Sequence, residues 1–353
     1  MDLEIAYIPY TLDFREPGGT SRGVLFEKLT YFVRICRKDR PNEFGYGEAP
    51  VFPGLSSESP VMLENRLKAI IREGGIVYHQ DMPELSSLKL ALETAFHDLN
   101  NGNNDLVFPS AFTDGETEIS INGLVWMGTF QEMKKRALDK LEAGFQCIKI
   151  KIGAINRKEE LELIKFIRDA GGPELIIRVD ANGAFNFAIA LEYLNELKKF
   201  SIHSIEQPLP KGTYPQLKEL CKITPVPIAL DEDLIGIPPG IQRSRMLEYI
   251  KPHFIVLKPA FCYGFSGTSD WIERAESLGI GWWITSALES SVGLNAIAQF
   301  TGCLKPSIFQ GLGTGNLFTN NLPSPLILQG ENLKYSYNSN NLKPILQQLN
   351  WIY

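Results

Sequence analysis

The sequence predicts an α/β protein in which a closed parallel β-barrel follows a smaller α+β layer. Two features lead to this. From about residue 119 onward, apolar strand-like runs alternate with single helical patterns, eight times over, at spacings of 20–30 residues. Upstream, short strand-like runs joined by glycine-rich turns come first and helices follow. A doubly wound open sheet is the rival arrangement, but eight strands in succession favour closure. Length agrees, because 353 residues exceed a single core of about 100–150 residues.

Taken in order, Leu3–Leu12, Val24–Arg37 and Phe44–Gly47 read as an antiparallel meander turning at Pro17-Gly18-Gly19, and Ser59–Glu73 and Leu85–Leu99 as helices. Residues 1–117 are therefore expected to form an α+β cap, and 118–315 the barrel. The barrel strands are expected at Glu118–Trp126, Cys147–Gly153, Leu175–Asn182, Ser201–Pro208, Val226–Glu232, Phe254–Ala260, Gly281–Ala287 and Ser307–Gly313. Helices at Gln131–Ala143, Arg157–Ala170, Phe187–Lys199, Tyr214–Cys221, Ser269–Leu278 and Val292–Leu304 lie between most of them. The tail, 316–353, is rich in Asn and Pro, cannot continue the rhythm, and is expected to pack back on the cap.

Composition narrows the function. With 44% hydrophobic and 22% charged residues the chain is globular, neither disordered nor fibrous. A net charge of −6 without a basic run argues against nucleic acid and anionic membranes as partners. The N-terminus lacks the basic and apolar regions of a signal peptide, and no apolar run reaches membrane-spanning length. Five scattered cysteines without a C-x-x-C read as buried free thiols of a reducing compartment, so a cytoplasmic protein is expected. Four histidines and no H-E-x-x-H leave zinc hydrolysis unsupported.

In a barrel, functional side chains sit at the C-terminal ends of strands. Those ends carry Lys149 and Lys151, Asp180 and Asn182, Glu206, Asp231 to Asp233, and Lys258. Period-two alternation puts Lys149 with Lys151, and Arg178 with Asp180 and Asn182, on one side of their strands, while Ile148, Ile150 and Val179 face the helices. The charged set therefore points into the barrel, where buried charge must be paired or bound to metal. Any single member could be a solvated loop residue, but five charged strand ends in a row make a constellation. Three carboxylates without histidine suit Mg²⁺ better than Zn²⁺. A substrate carboxylate on such an ion becomes acidic at the adjoining carbon, and a lysine beside it can take the proton.

The set Lys149-x-Lys151, Asp180-x-Asn182, Glu206-Gln207-Pro208, Asp231-Glu232 and Lys258-Pro259 resembles the enolase superfamily, in its muconate-lactonising-enzyme-like branch. The gaps of 29, 26, 25 and 27 residues between Lys151, Asp180, Glu206, Asp231 and Lys258 agree with that. Gly45-Tyr46-Gly47-Glu48 and Phe52-Pro53-Gly54 resemble its capping domain. The resemblance implies a (β/α)7β modified TIM barrel and Mg²⁺, with Mn²⁺ as a substitute, held by Asp180, Glu206 and Asp231 around one octahedral position. It implies Lys151 and Lys258 as acid/base lysines working on an ene-diolate, with Lys149, Arg178 and Asn182 in support. Asp233 stands where the branch commonly has serine; sharing parity with Asp231, it is expected as a supporting group or an alternative ligand.

Within that branch, Ser286–Leu294 and Gln310–Gly315 resemble the o-succinylbenzoate synthases. The implied reaction is Mg²⁺-dependent syn-dehydration of 2-succinyl-6-hydroxy-2,4-cyclohexadiene-1-carboxylate in menaquinone biosynthesis. Ser286 and the amides of Gly311 and Gly313 would meet the substrate's remote carboxylate, with Gly18–Gly23 and Phe52–Leu55 as loops closing over it. Gly311-x-Gly313-x-Gly315 alone could suggest a dinucleotide loop, but too little chain follows for a βαβ unit. Epimerisation of dipeptides or racemisation of N-acylamino acids is the alternative, using the same lysines on opposite faces. A barrel that binds a carboxylate without turnover is a third reading. His97 and His203 are expected to pack, not to react.

Overall fold

The computed structural model describes residues 2–20, 23–77, 84–102, 105–336 and 342–353. Three long strands, β1 (Asp2–Thr20), β2 (Gly23–Arg37) and β3 (Arg40–Pro50), form an antiparallel sheet with the short β4 (Ile76–Val77) in the order β3-β2-β1-β4. The turn expected at Pro17-Gly18-Gly19 is absent. β1 instead runs on to Thr20 after a register shift between Asp13 and Gly18, and Pro17 sits in that irregularity because it has no N–H for a ladder. Of the loop expected at Gly18–Gly23, residues 21 and 22 lie outside the described residues.

Helix α1 (Pro60–Arg72) begins where Ser59 accepts from the Met62 amide and proline occupies the first turn. Helix α2 (Ser86–Asn100) lies flat on β3, which explains the glycines there. A Cβ on Gly45 would stand 1.9 Å from the Ala95 carbonyl oxygen, and one on Gly47 2.0 Å from that of Ala91.

The barrel segment continues with β5 (Ile119–Ser120), β6 (Gly123–Val125), α3 (Phe130–Glu142), β7 (Cys147–Lys151), α4 (Arg157–Gly171), β8 (Ile176–Asp180), α5 (Phe187–Leu197), β9 (Ser204–Glu206) and α6 (Tyr214–Ile223). It goes on through β10 (Ile228–Leu230), α7 (Ile241–Ile250), β11 (Phe254–Leu257), α8 (Gly264–Ser277), β12 (Gly281–Ile284) and α9 (Ser291–Leu304). Strands β6 to β12 form one parallel sheet in sequential order. Ile148, Ile150, Ile177, Val179, Ile205 and Ile228 bury their side chains in the main core, as alternation under a helical layer requires.

Three expectations need correction. Glu118–Trp126 is two elements, because β5 pairs away from the barrel and only β6 enters it. Ser307–Gly313 is no full strand: Gln310 bridges to Ile121 and Gly311 to Thr285, so two residues stitch the first barrel strand to the last. Helix α7 went unread, since one of its buried positions is Arg243, whose guanidinium stacks 4.6 Å from the Trp271 ring and breaks the apolar stripe.

After α9 the chain forms a hairpin, β13 (Leu326–Gln329) and β14 (Asn332–Tyr335), with β14 pairing to β5. Helix α10 (Lys343–Gln347) and Trp351 then pack on Ala6, Phe32 and Tyr46 of the N-terminal sheet, where Tyr7 and Ile352 exchange amide bonds of 3.0 and 2.9 Å. Cys36, Cys147, Cys221 and Cys262 are buried free thiols, whereas Cys303, in the last turn of α9, is exposed. Among the described residues no helix is long and apolar enough to cross a membrane.

Candidate active site

A pocket opens at the C-terminal ends of the barrel strands. Its polar end is built by β7, β8, β9 and β11, whose last residues or their successors bring Lys149, Lys151, Asp180, Asn182, Glu206 and Lys258 together. Strand β7 stays regular through Lys151, so both lysines share its inner face. Lys149 Nζ lies 2.7 and 2.6 Å from the two Glu206 oxygens and 2.9 Å from Asp180 Oδ2. Lys151 Nζ donates to Asp180 Oδ2 at 2.6 Å and to Asn182 Oδ1 at 2.7 Å. Lys258 Nζ pairs with Asp231 Oδ2. Because β7 and β11 are the second and sixth of eight barrel positions, Lys151 and Lys258 reach the cluster from opposite sides.

These carboxylates are buried: Asp180, Glu206 and Asp231 are each 2% exposed or less. Burial alone would raise Asp180, but the ammonium groups of Lys149 and Lys151 outweigh it and hold its carboxyl far below the usual range. Glu206 is pushed up to about 8, by burial first and then by the charge of Asp180, with Asp231 adding to it. Burial works against the charged forms of Lys149 and Lys258, yet their carboxylate neighbours raise both above the ordinary lysine value. Lys149 is thus clasped by Glu206 and Asp180. Sequence analysis reads it as a supporting charge for Lys151, and its position between two carboxylates explains why a second lysine stands here.

Hard oxygen donors on three neighbouring strand ends match the chemistry of Mg²⁺. In their present arrangement the oxygens turn to ammonium groups, and among the described residues no three His, Cys, Asp or Glu side chains converge as a preformed cage. The donor set fits the ion, and loading it requires Lys149, Lys151 and Lys258 to share the oxygens they hold.

Asp233 does not enter the site. Strand β10 ends at Leu230 and a 3₁₀ turn covers Glu232–Leu234, so strand parity lapses beyond Asp231. Asp233 instead accepts from Gln207 Nε2 at 2.6 Å and from the Gly212 amide at 2.7 Å. The same turn swings Glu232 into the pocket, where Oε1 accepts from Asn182 Nδ2 at 3.1 Å and Oε2 is buried without a partner. Sequence reasoning missed Glu232 for that reason. Burial, then Asp231, raises its carboxyl to about 6.

Arg178 is inside the barrel but below the pocket, its guanidinium 4.0 Å from the Trp283 ring and donating to the Phe309 carbonyl at 2.9 Å. It is a plug and not a pocket group. Ser286, Gly311 and Gly313 do line the pocket's far end, with Thr285 and Thr314. The Gly311 amide, however, donates to the Ile284 carbonyl at 2.7 Å and so is not free for a ligand. Glycine is needed there because a Cβ would fall 2.4 Å from Thr285 Oγ1. Phe52 and Leu55, from the loop after β3, border the pocket. His97 lies 4.6 Å from the Phe108 ring and His203 5.0 Å from Phe254, both away from the pocket lining. Burial, then the Arg178 charge, lowers His203 to about 4.

A family model described as enolase C-terminal domain-like matches residues 132–327, more than half of the chain. The chain belongs to this enolase-like family. The resemblance read from the strand-end motifs is thereby borne out. One relative, the o-succinylbenzoate synthase of Desulfotalea psychrophila, is 42% identical, with 93% of this chain and 98% of that protein aligned. A crystal structure of MenC from the same organism superposes with a TM-score of 0.79 at 38% identity, covering 95% of this chain and all of the other. The L-Ala-D/L-Glu epimerase of Francisella tularensis subsp. novicida is 25% identical over 72% of this enolase-like chain and 75% of its own. Muconate lactonizing enzyme from Pseudomonas putida shares the fold, with a TM-score of 0.80 at 20% identity over 99% of both chains.

Proposed function

We propose that this chain is an o-succinylbenzoate synthase, a hydro-lyase that dehydrates 2-succinyl-6-hydroxy-2,4-cyclohexadiene-1-carboxylate in menaquinone biosynthesis. In this reading residues 118–315 are the catalytic barrel, 1–117 with 316–353 the cap, and the enzyme works in the cytoplasm on a small carboxylate. Asp180, Glu206 and Asp231 would hold Mg²⁺, the ion on which enolase-superfamily members depend, or Mn²⁺ in its place. Bound there, the ion would polarise the substrate carboxylate and offset its charge. Lys151 removes the proton from the carbon next to that carboxylate. Lys258, on the opposite side, keeps its ammonium and neutralises the ene-diolate charge that develops. Lys151, now protonated, gives its proton to the departing hydroxide on the same face, and the ring becomes aromatic.

The single observation that carries this reading over epimerisation is the chemistry of the pocket's far end. The Thr285 hydroxyl donates to the Gly311 carbonyl at 2.9 Å, but the Ser286 and Thr314 hydroxyls, 2.6 Å apart, leave one O–H to donate beside apolar side chains, and the acids of the lining, Asp180, Glu206 and Glu232, all stand at the lysine end. A succinyl carboxylate meets a hydroxyl donor there, whereas a dipeptide ammonium would meet no counter-charge. The 42% identity to a synthase supports the same choice. The test is to give the purified protein, with Mg²⁺, the cyclohexadiene acid and follow the aromatic product by ultraviolet absorbance. Turnover that EDTA abolishes and Mg²⁺ restores is expected. Efficient dipeptide epimerisation without aromatic product would overturn the ranking.

A further inference from the structure

The wall of the pocket's far end is a turn held from outside the barrel. Leu288, which lines the pocket, has φ +60°, a left-handed conformation that a leucine adopts only when its surroundings hold it there. Two long-range contacts do so. Lys28, on β2 of the N-terminal sheet and only 4% exposed, donates from Nζ to the Leu288 carbonyl at 2.8 Å. Glu48, on β3, accepts from the Ser290 amide at 3.0 Å, the Ser290 hydroxyl at 2.5 Å and the Gly293 amide at 2.9 Å, which pins the start of α9 immediately after the turn. Within the turn, Glu289 Oε2 accepts from the Ala287 amide at 2.7 Å. The charges of Lys28, Glu48 and Glu289 act on one another across this buried cluster.

A lysine buried this deeply costs free energy unless its ammonium is fully engaged. A merely structural contact between sheet and barrel could be made by apolar side chains at lower cost. We infer that Lys28 is a positioning residue: it fixes the Leu288 turn and thereby sets how the pocket receives the end of the substrate remote from the lysines. The chain of contacts is short. Lys28 holds the Leu288 carbonyl, and Leu288 with Ala287 and Ser286 forms the pocket wall. This rests on the dehydratase reading for the identity of the substrate, but the geometry concerns whichever substrate the pocket takes.

The test compares Lys28→Met with the wild type. The wild type's turnover of the cyclohexadiene acid reads the function. The variant-to-wild-type KM ratio reads the inference, on whichever of that acid, an N-succinylamino acid or a dipeptide the wild type turns over. Lys28→Met is expected to raise KM about tenfold or more, with kcat within about threefold of wild type. Leu288→Gly, which fits the same φ but removes the wall, is expected to show the same split. KM within twofold of wild type in Lys28→Met, or a fall in kcat at unchanged KM, overturns the inference. Should Lys28→Met fail to fold, Lys28→Leu, which likewise has no donor for the Leu288 carbonyl, is read by the same criterion.

Discussion

Replacing Lys149 by methionine removes one ammonium and leaves its carboxylate partners in place. The structure gives that ammonium three contacts of 2.6–2.9 Å, two to Glu206 and one to Asp180, at a position 8% exposed. Removing one partner of a buried ion pair costs about 3–5 kcal/mol, because the other charge stays uncompensated. At an unfolding entropy of about 2.1 cal/mol/K per residue, 353 residues give roughly 0.7 kcal/mol/K, so the apparent Tm should fall by about 4–7 °C. Without the ammonium of Lys149 to oppose them, burial and the Asp180 charge should push Glu206 up further. In the proposed metal site, Mg²⁺ would no longer compete with Lys149 for these oxygens in the variant. It should therefore raise the variant's Tm by more than it raises the wild type's. Thermal unfolding of both proteins at pH 7, in EDTA and in Mg²⁺, measures this. A variant Tm within a degree of wild type, or an equal gain from Mg²⁺ in both, would refute the reasoning.

Two further outcomes are expected. Lys151→Ala should fold normally yet lose at least about 10²–10⁴ in rate and stop exchanging the α-proton of the substrate with solvent; near-native turnover would exclude Lys151 as the base. Glu289 is pushed up to about 7 by burial, with Lys28 opposing and Glu48 adding to it, from an ordinary 4.5. The folded state therefore holds a proton that the unfolded chain has released, so stability is fully present below about pH 4.5 and declines as pH rises toward 7. The loss amounts to roughly 3 kcal/mol at most, and Glu289→Gln should flatten the decline in urea midpoints measured between pH 5 and 8.

The strand-end residues were legible because a barrel repeats one unit, strand, loop, helix, loop, and each repeat returns a charge to the same rim. Lys149, Lys151 and Asp180 followed from strand ends and alternation, and Glu206 from its strand end, since β7, β8 and β9 remain regular to those residues. Alternation fails one residue after a strand ends. That is why Glu232 and Asp233 exchange the places that parity assigns them, the first facing the pocket and the second Gln207. Arg178 shows the opposite limit: its face was read correctly, but alternation carries no depth, and Arg178 stacks on Trp283 while Asp180, two positions on, lines the pocket. The contacts that hold the far wall join residues some 240–260 positions apart, Glu48 to Ser290 and Lys28 to Leu288. No local pattern encodes such a pairing. Gly45 and Gly47 were read only as part of a motif, and the structure supplies the reason in the carbonyls of α2 lying against them.

The docking of α10 and Trp351 on Ala6, Phe32 and Tyr46 has a consequence in time. A ribosome adds about 5–20 residues per second, and the chain between Tyr46 and Trp351 therefore takes roughly 15–60 s to emerge. Through that interval the N-terminal sheet exposes the face that Leu342, Leu346 and Trp351 will cover, with Val292 and Leu322 reaching it shortly before them. Its hairpin partners form early, but its outer layer follows about 300 residues later. A ribosome-bound chain halted before Leu342 should accordingly bind a hydrophobic dye at this sheet, and a chain in which Trp351 has emerged should not.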